Sequence, residues 1–586
     1  MSAILRLFIL SLSLLISEAD HQNLEESFSD RDWLTRFKAG GPPPNIVFIL
    51  ADDVGHADVG FTEGNHQTPT PNIDALAWDG IILNRFYTNP ICTPTRSALL
   101  TGKYTFHTGM QSGVITPGTA WGLPLNFKLL PEYLKELNYS TTILGKWHLG
   151  SKNRSYLPGA RGFDYHYGNY GPQLNYFNYG FGTNNLTGRD FYENGYQVPQ
   201  NCTNNHYYPD LILEKFEQVI HNADPRKPFY IHFATTLTHA TGEWNGTTTL
   251  VNILETMPGY SSRPAVTALN DTFINRRRQT SSIQALDEQV RRIRLALTYK
   301  GVINNTIIVF QSDNGPVTRI FGTIAQGGTN YGSSWPLRMF KQTMFEGGVR
   351  APAFIWSPRF RRAGRYTNQL FHVTDWLPTL YQAAGGNVST LVGLDGVSQL
   401  KSLVTGRKII HRTDIPINID NSRTKFVNKT EKNPQYGVIW LHNITGILYK
   451  LVGGSVFNDS YAGWERTEGT TAANPMTTPT AVSVQCNGVE GVEKAGSTPC
   501  RPWSAACLFD LTNDPCELNN LALNKTGILS ILQSLLAAYN STSVPSVANS
   551  TVDPASVVNG WWVPWQDPEP VWVSPPCAPF NPSSAS

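Results

Sequence analysis

Residues 45–50 read Asn-Ile-Val-Phe-Ile-Leu, a short apolar run rich in β-branched side chains, and residues 51–53, Ala-Asp-Asp, follow it directly. The length and composition of this run predict a buried β-strand. A second run at residues 305–311 has the same character and ends at residues 312–315, Ser-Asp-Asn-Gly. In α/β sheets, functional groups gather beyond the carboxyl ends of the strands. The two runs therefore predict a functional site at that edge of a sheet.

Outward from residues 45–50, strand-like and helix-like segments alternate along the chain. Apolar residues at helical spacing predict helices, and short continuous apolar runs predict strands. This alternation predicts an α/β domain built on a large, mainly parallel sheet flanked by helices. The further predicted strands are residues 140–144 and 229–234, and the predicted helices lie at residues 70–80, 129–137 and 283–300.

The character of the sequence changes after about residue 405. Shorter strand-like pieces at residues 437–441, 447–452 and 506–511 precede a helical pattern at residues 528–538. They predict a smaller α+β domain with an antiparallel sheet. The predicted organisation is a signal peptide at 1–19, a linker at 20–43, a catalytic domain at 44–405, an α+β domain at 406–543 and a tail rich in Pro, Trp and Ser at 544–586.

Composition excludes several classes of protein. Hydrophobic residues make up 40% of the 586 residues and charged residues 15%, which excludes a disordered chain. Lys and Arg number 46 against 44 Asp and Glu, for a formal charge of +2. A nucleic-acid binder or a polybasic membrane binder needs clustered cations that this chain lacks. We therefore expect no nucleic-acid partner. We also expect no membrane span, because no segment is long and apolar enough to cross a bilayer.

The amino terminus predicts entry into the secretory pathway. Arg6 precedes an apolar stretch at residues 7–16, and residues 17–19, Ser-Glu-Ala, form a small-x-small cleavage site. We expect a secreted or lysosomal glycoprotein, because Asn-x-Ser/Thr sequons are frequent along the chain. The candidate acceptors are Asn138, Asn153, Asn185, Asn201, Asn245, Asn270, Asn387, Asn428, Asn443, Asn458, Asn524, Asn540 and Asn549.

Seven cysteines in an oxidising compartment predict disulfides and leave one residue unpaired. No Cys-x-x-Cys spacing occurs, which argues against a zinc site. Cys507 and Cys516 flank a strand-like segment and turn, so these two could bridge, although the spacing leaves the connectivity open. The cysteines are Cys92, Cys202, Cys486, Cys500, Cys507, Cys516 and Cys577.

Two pairs of oxygen-bearing side chains stand at predicted strand ends, Asp52 with Asp53 and Asp313 with Asn314. Adjacent carboxylates repel each other, so both stay ionised only beside a cation. Oxygen ligands select hard cations such as Ca²⁺ or Mg²⁺. The alternative is that these residues only form turns after the strands.

Residues 92–103 read Cys-Thr-Pro-Thr-Arg-Ser-Ala-Leu-Leu-Thr-Gly-Lys. The pattern Cys-x-Pro-x-Arg, extended through Leu-Thr-Gly-Lys, resembles the signature of the type I sulfatase family. In that family a formylglycine-generating enzyme oxidises the cysteine to formylglycine, or 3-oxoalanine, before folding is complete. The resemblance implies this modification at Cys92 and would account for the odd number of cysteines.

Other sulfatase motifs follow in the same order over about residues 44–538, and they resemble in particular the arylsulfatase B, I and J group. Residues 145–150, Gly-Lys-Trp-His-Leu-Gly, resemble the second family signature. The weakest resemblance lies at residues 168–208, rich in Tyr, Asn and Gly. The remaining motifs are His239 after a predicted strand, residues 312–315, residues 335–338, Lys341, residues 345–350, residues 374–379 and residues 508–515.

The resemblance implies an alkaline-phosphatase-like fold, one Ca²⁺ per chain, and hydrolysis of aryl sulfates or sulfated sugars of the N-acetylgalactosamine 4-sulfate type. Substrates would be sulfated small molecules or glycosaminoglycans. In the family, hydrated formylglycine attacks sulfur with one hydroxyl and expels sulfate with the other. The implied calcium ligands are Asp52, Asp53, Asp313, Asn314 and modified Cys92.

The resemblance also implies a role for each remaining site residue. Lys146 and Lys341 would clamp the sulfate, as a charged transition state requires. Arg96 would orient the hydrated aldehyde. His148 would act as the base for its second hydroxyl, and His239 would bind the substrate and protonate the leaving alcohol.

Two other functions stay open at this level. A phosphoryl hydrolase of the same superfamily would share the metal site but would ordinarily carry Ser or Thr in place of Cys92. An inactive, calcium-stabilised relative that serves as a binding glycoprotein would retain the fold; loss of a lysine, a histidine or Cys92 would indicate it, and none is missing.

Overall fold

The computed structural model describes residues 34, 37, 41–63, 67–244, 250–319, 329–360, 363–423, 432–454, 463–470, 479–486 and 493–567. The predicted signal peptide at 1–19 and most of the predicted linker lie outside the described residues. So do the sequon asparagines Asn245, Asn428 and Asn458.

A ten-stranded sheet forms the centre of the larger domain. Its central strands are buried on both faces, as is typical of parallel strands covered by helices. In chain order the strands are β1 Asn45–Ala51, β2 Ile81–Leu83, β3 Ser140–Gly145, β4 Tyr165–Gly168, β5 Tyr192–Glu193, β6 Tyr196–Gln197, β7 Phe229–Ala234, β8 Thr306–Ser312, β9 Ala353–Trp356 and β10 Arg365–Thr367.

The strand order is β10-β2-β9-β8-β1-β7-β3-β4-β5-β6. The five central strands, from β8 to β4, run parallel, and antiparallel pairs join β9 to its neighbours and β5 to its neighbours. β1 lies at the middle, and Leu50 is in register with Gln311 on one side and Ala234 on the other. The prediction of a large mixed sheet, mainly parallel and flanked by helices, is confirmed.

Helices cover both faces of this sheet. The longer ones are α1 Pro71–Asp79, α2 Cys92–Thr101, α3 Leu130–Glu136, α4 Tyr208–Asn222, α5 Ile274–Tyr299, α6 Trp376–Ala383 and, in the smaller domain, α7 Thr526–Asn540. Shorter helices are Gly60–Glu63, Thr105–Thr108, Gln200–Thr203, Pro258–Ser261, Pro264–Thr267, Glu346–Val349 and Leu400–Thr405. α2 ends where Gly102 takes a left-handed conformation with φ 63°.

α5 begins at Ile274, well before residue 283, where apolar spacing placed its start. Its first turns are buried through polar contacts, so the hydrophobic pattern does not reveal them. The guanidinium of Arg276 donates to Asp58 Oδ1 at 2.8 Å, and Gln279 Nε2 donates to Thr238 Oγ1 at 3.1 Å.

The smaller domain is an antiparallel sheet of four strands covered by α7, as predicted. The strands are β11 Asp414–Asp420, β12 Gln435–Leu441, β13 Leu448–Gly453 and β14 Cys507–Asp510, in that order across the sheet. Lys450 on β13 is fully buried and pairs with Glu346 at 2.8 Å and Glu517 at 3.1 Å. This trio joins the smaller domain to the loop that follows Lys341.

Residues 544–567, which we term the C-terminal strap, return to the larger domain. Val544 N donates to Phe106 O at 2.8 Å, and Asp553 N donates to Gly118 O at 2.8 Å. The strand Trp561–Trp562 then joins a small sheet with Leu186–Arg189. The strap therefore packs against the loops after α2 and against the region of weakest family resemblance.

The remaining strands form small sheets. Two further strands of the small sheet that contains Trp561–Trp562 are Gly180–Thr183 and Val557–Val558, and the two-stranded pairs are Phe86–Tyr87 with Phe371–His372 and Thr241–Trp244 with Leu250–Ile253.

Disulfides join Cys486 to Cys516 and Cys500 to Cys507. The suggested bridge between Cys507 and Cys516 is wrong, because the two residues belong to separate apolar clusters. Cys507, the first residue of β14, packs with Cys500, whereas Cys516 lies beyond the following turn, beside Cys486. Cys202 is also disulfide-bonded, and Cys92 is a buried free thiol.

Among the described residues, no helix combines the length and the apolar composition that crossing a bilayer requires.

Candidate active site

The predicted site residues meet at the carboxyl edge of four adjacent strands, β8, β1, β7 and β3. The polar residues of the site follow each strand within a few positions of its end. Parallel strands place these ends side by side, so residues distant in sequence become neighbours. Asp313 and Asn314 follow β8, Asp52 and Asp53 follow β1, His239 follows β7, and Lys146 and His148 follow β3.

Cys92 is the first residue of α2 and is only 2% exposed. Its Sγ lies 3.8 Å from Asp52 Oδ1. Burial raises the pKa of the Cys92 thiol to about 12, and the nearby Asp313 carboxylate adds to the shift. The unmodified side chain is therefore a protonated thiol, which is a poor nucleophile.

Arg96 lies one turn further along α2 and points to the same group of strand ends. Its guanidinium donates to Asp313 Oδ2 at 2.9 Å and to the carbonyl of Lys146 at 3.2 Å. Burial alone would lower the pKa of Arg96, but Asp313 and Asp52 raise it. Arg96 therefore holds a fixed positive charge beside Cys92.

Two lysines pair with the two carboxylates that follow β1. Lys146 Nζ lies 2.7 Å from Asp52 Oδ2, and Lys341 Nζ lies 2.6 Å from Asp53 Oδ1. Burial would raise the pKa of Asp52, but Lys146, His239 and Arg96 outweigh it and hold that pKa below its usual value. Burial would lower the pKa of Lys341, but Asp53 and Cys92 raise it. Both lysines can therefore present positive charge to an anion.

His148 is fully buried and adopts a left-handed backbone conformation with φ 58°. Neither ring nitrogen has a hydrogen-bond partner among the described residues. Burial, followed by the charges of Lys146 and Arg96, lowers the pKa of His148 well below its usual value. The imidazole is therefore neutral and able to accept a proton.

His239 stands at the opening of the site. Its Nδ1 lies 2.7 Å from the Ala240 carbonyl, so Nδ1 is the donor, and its Nε2 lies 3.6 Å from Asp53 Oδ2. The His239 side chain is 15% exposed and that of Lys341 7%, whereas Asp52 and Asp53 are fully buried. A ligand therefore reaches the site past His239 and Lys341.

The side chains at the strand ends could hold a metal ion. Liganding atoms of Asp52, Asp53, Cys92 and His239 all lie within 4.8 Å of one another. Asp53 Oδ2 and Asn314 Oδ1 are buried without a hydrogen-bond partner among the described residues. Burying such acceptors is costly unless another group satisfies them, and a cation would do so.

The predicted metal ligands also include Asp313 and Asn314, whose side chains form hydrogen bonds with other residues of the site in this structure. Asp313 accepts from Arg96 and, at 3.2 Å, from Asp53 N, while Asn314 Nδ2 donates to Asp53 Oδ1 at 2.6 Å. Both side chains still lie against Asp53. All of the predicted site residues are thus brought together.

Asn330 is a buried residue of the site that the sequence did not reveal. Its Nδ2 donates to the carbonyls of Asp53 at 2.9 Å and Thr238 at 3.2 Å. It thereby ties the turn after β1 to the loop that carries His239. An asparagine in a polar loop gives no local signal of such a contact, which spans 277 positions for Asp53.

A cavity of about 470 Å³ lies elsewhere, at the amino edge of the sheet, beside Ser140 and Phe229, the first residues of β3 and β7. It contains none of the predicted site residues. The charged groups and the unpartnered polar atoms, rather than cavity size, therefore locate the active site.

Comparison with known proteins identifies the family of the chain. A family model described as Sulfatase matches residues 44–386. The chain is 34% identical to arylsulfatase J of Mus musculus over 91% of its own length and 82% of that protein's. It is 31% identical to N-acetylgalactosamine-6-sulfatase of Homo sapiens over 63% of its own length and 67% of the relative's.

The fold is also similar to that of solved structures. The crystal structure of Ps i-CgsB in complex with k-i-k-neocarrahexaose superimposes with a TM-score of 0.63 at 23% identity, covering 86% of this chain and 94% of that one. At this identity the likeness concerns the fold. The sequence match over most of the chain and the family model together establish that the chain belongs to the sulfatase family and is a sulfuric ester hydrolase.

Proposed function

We propose that this sulfatase releases inorganic sulfate from aryl sulfates and from sulfated sugars, through a formylglycine formed at Cys92. The observation that carries the proposal is the position of Cys92, which opens α2 with its Sγ 3.8 Å from Asp52 inside a cluster of fixed cations. A thiol with a pKa of about 12 would be inert there. When formed, the hydrated aldehyde supplies one hydroxyl for attack on sulfur and a second for release of sulfate.

Sulfatase family members bind a metal ion, and the oxygen-rich cluster at the strand ends could hold one. We propose one Ca²⁺, held by Asp52, Asp53, Asp313 and Asn314 together with modified Cys92. The unpartnered oxygens of Asp53 and Asn314 support this assignment. When bound, calcium would supply Lewis-acid polarisation of the sulfate and lower the pKa of the nucleophile.

Lys146 and Lys341 would bind the sulfate group. The ammonium group of Lys146 pairs with Asp52 and that of Lys341 with Asp53, and both lysines are buried. Preorganised charge in a site closed to water stabilises the charge that develops on sulfate oxygens. Arg96, fixed by Asp313, would hold the hydroxyls formed at position 92 in a reactive orientation.

The two histidines would divide the proton transfers. His148, neutral and without a hydrogen-bond partner among the described residues, would accept the proton of the second hydroxyl. His239, placed at the opening, would bind the substrate there and, when protonated on Nε2, give that proton to the leaving alcohol while Nδ1–H keeps its bond to the Ala240 carbonyl. The exposure of His239 supports this division, because the alcohol must leave toward solvent.

N-acetylgalactosamine 4-sulfate is the proposed sugar substrate. Similarity to arylsulfatase J and to N-acetylgalactosamine-6-sulfatase supports a sulfated substrate. The two lysines recognise any sulfate, so sugar choice must come from rim groups that pair with hydroxyls of one isomer. We expect these rim groups within residues 168–208 and 241–270, where the family resemblance is weakest.

We further propose a secreted or lysosomal glycoprotein modified by a formylglycine-generating enzyme. Two disulfides among the described cysteines support an oxidising compartment. Asn138, Asn387, Asn524 and Asn549 are exposed, as a glycan acceptor must be.

Peptide mass spectrometry across Cys92, combined with a panel of sulfated substrates at pH 4.5 to 7.5, tests the proposal. We expect a mass loss of about 18 Da at Cys92, from replacement of the thiol by an aldehyde, and release of sulfate from an aryl sulfate. A Cys92 thiol that alkylates fully would contradict the mechanism. Activity on aryl sulfate but on no galactosamine 4-sulfate would retain the enzyme class and exclude the sugar.

A further inference from the structure

The segment after β4 supports the backbone of His148. The N–H of His148 donates to the Tyr170 carbonyl at 3.0 Å, and the N–H of Trp147 donates to the Asn169 carbonyl at 2.9 Å. His148 has φ 58°, a conformation that costs energy for a residue with a side chain and persists only where neighbours enforce it. Since the His148 ring makes no hydrogen bond to a described residue, its backbone contacts fix its position.

A buried carboxylate holds this supporting segment in turn. Asp190 accepts from Tyr170 N through Oδ1 at 3.0 Å and from Gly171 N through Oδ2 at 2.6 Å. Asp190 is 1% exposed and pairs with no cation among the described residues. Burial raises its pKa to about 6, and the two amide bonds offset only part of that shift. Two backbone amides, rather than a cation, therefore hold the Asp190 carboxyl group in place.

The backbone around Asp190 is itself anchored, in part by the C-terminal strap. Arg189 N donates to Gly560 O at 2.8 Å, and Asp190 N donates to Tyr179 O at 2.9 Å. The hydroxyl of Tyr192 donates to the Trp562 carbonyl. Asp190 is therefore held in place by its backbone neighbours and connects the strap to the segment that carries Tyr170.

We propose that Asp190 is a positioning residue for the sulfatase reaction, which fixes residues 170–171 and thereby places the His148 imidazole against the nucleophile at position 92. This inference rests on the proposed role of His148. It assigns a function to residues 168–208, the part of the larger domain least similar to the family. A misplacement of about 1 Å in a catalytic group can lower a rate about 100-fold.

Two substitutions disturb this support in different ways. Asp190→Asn keeps the shape of the side chain but replaces one acceptor oxygen by a donor that faces an amide N–H. Gly171→Ala leaves Asp190 intact but places a Cβ 2.7 Å from Asp190 Oδ2 and 2.8 Å from Pro117 Cγ, which forces the carboxylate or the segment to move.

Asp287→Asn is the matched control. Asp287 is 2% exposed; its Oδ1 accepts from the backbone amides of Asn72 and Ile73, both at 2.9 Å, and its Oδ2 accepts from Asn72 Nδ2 at 2.6 Å, at the start of α1. It therefore resembles Asp190 in burial and in accepting two backbone amides, and Asp287→Asn likewise turns one acceptor oxygen into a donor that faces an N–H group, but Asp287 supports no active-site residue. If replacing any buried carboxylate lowers stability, the loss will appear in both Asp190→Asn and Asp287→Asn.

The experiment compares p-nitrophenyl sulfate hydrolysis, melting temperature, calcium content and aldehyde content at position 92 in the four proteins. We expect Asp190→Asn and Gly171→Ala to lower kcat about 10- to 100-fold with little change in KM, aldehyde or calcium. Asp287→Asn should lose similar stability and retain kcat. Equal kcat in Asp190→Asn and Asp287→Asn, or failure of both Asp190→Asn and Gly171→Ala to fold, would overturn the positioning role in favour of a structural one.

A crystal structure of Asp190→Asn separates this inference from the proposed function. We expect the His148 ring to be displaced, whether or not wild-type protein hydrolyses sulfate esters. An unmoved ring would overturn the inference. Inactive wild-type protein with Cys92 fully converted would instead overturn the proposed function.

Discussion

At the scale of single residues, the ion pairs of the active site explain how two adjacent carboxylates remain buried. Asp52 and Asp53 each contact a lysine, and Arg96 holds Asp313 close to both. Acidic and basic groups are thus present in similar number before any ligand binds. An incoming sulfate adds negative charge that only a cation at the strand ends would balance, which is consistent with the unpartnered oxygens there.

We predict that Cys92→Ser retains the fold and loses steady-state turnover. A serine can accept sulfate once, but the resulting ester has no second hydroxyl with which to expel it. We expect at most one equivalent of alcohol per chain, measured by quenched flow with an aryl sulfate. Thr95→Ser, which keeps the hydroxyl that donates to the Asn89 carbonyl, is the control and should turn over normally. Sustained turnover by Cys92→Ser would contradict the mechanism.

We predict one bound calcium per chain, lost in Asp53→Ala. The substitution removes two oxygens from the proposed site and leaves the Lys341 ammonium without its 2.6 Å partner. We expect activity to fall by at least about 1,000-fold, with elemental analysis as the direct measurement. Asp164→Asn, which alters a carboxylate paired with Lys135 outside the site, should keep both calcium and activity. Stoichiometric zinc without calcium would exclude the assignment.

Much of the site could be predicted from sequence because its residues follow recognisable strands or stand in a family motif. Asp52 and Asp313 come directly after apolar runs, and Cys92 and Arg96 belong to one signature. Asn330 and Asp190 had no such signal. Their roles depend on hydrogen bonds to backbone groups distant in sequence, which side-chain chemistry does not encode.

At the scale of secondary-structure elements, strands were predicted more closely than helix α5. β1, β7 and β8 are mainly apolar runs, so their burial and type are visible in the sequence, whereas β3 has only two large apolar residues, Ile143 and Leu144. The first turns of α5 are buried through Arg276 and Gln279, whose polarity conceals the helix face.

The junction between β3 and β7 allows a prediction about Gly145, the residue before Lys146. Gly145 has φ 99°, and a Cβ there would lie 2.1 Å from the Ala234 carbonyl oxygen. We expect Gly145→Ala to lower the melting temperature strongly and abolish activity, because the two strands must separate to admit the methyl group. Thermal unfolding followed by circular dichroism measures the effect.

Gly301→Ala is the control for backbone strain alone. Gly301 also has a positive φ, 76°, but no described atom lies within 4 Å of the place that an alanine methyl group would take. This substitution should cost only about 1 kcal/mol. Equal losses of melting temperature in Gly145→Ala and Gly301→Ala would show that the close contact between strands does not cause the effect at position 145.

At the scale of the whole molecule, a buried cluster of charges joins the two domains. Glu346 belongs to the larger domain, and Lys450 and Glu517 to the smaller one. Glu517 also accepts from Glu346 N at 2.8 Å. Burial raises the pKa of Glu517 to about 7 from an ordinary value of 4.5, although Lys450 opposes the shift.

This shift predicts greater stability at acidic pH. Between pH 4.5 and about 7 the folded protein binds a proton at Glu517 that the unfolded chain has released. The resulting stabilisation is complete below pH 4.5 and is lost as the pH rises through 7. We expect the free energy of unfolding to fall between pH 5 and pH 8, and Glu517→Gln to flatten that dependence. Glu136→Gln, on the exposed end of α3, should leave the pH dependence as it is in the wild-type protein. If Glu517→Gln also kept the wild-type slope of unfolding free energy against pH, Glu517 would be excluded as the cause.

The C-terminal strap sets an order of events during synthesis. Cys92 is 2% exposed in the folded protein, and the strap bonds to Phe106 and Gly109 in the loops just after α2. Under the proposed conversion, a modifying enzyme would have to reach Cys92 while those loops are still open. Residue 544 follows residue 92 by 452 positions, which takes about 20 to 90 s at about 5–20 residues per second. The strap is therefore made about that long after Cys92, and under the proposed conversion a slower ribosome would leave more time before the strap can pack.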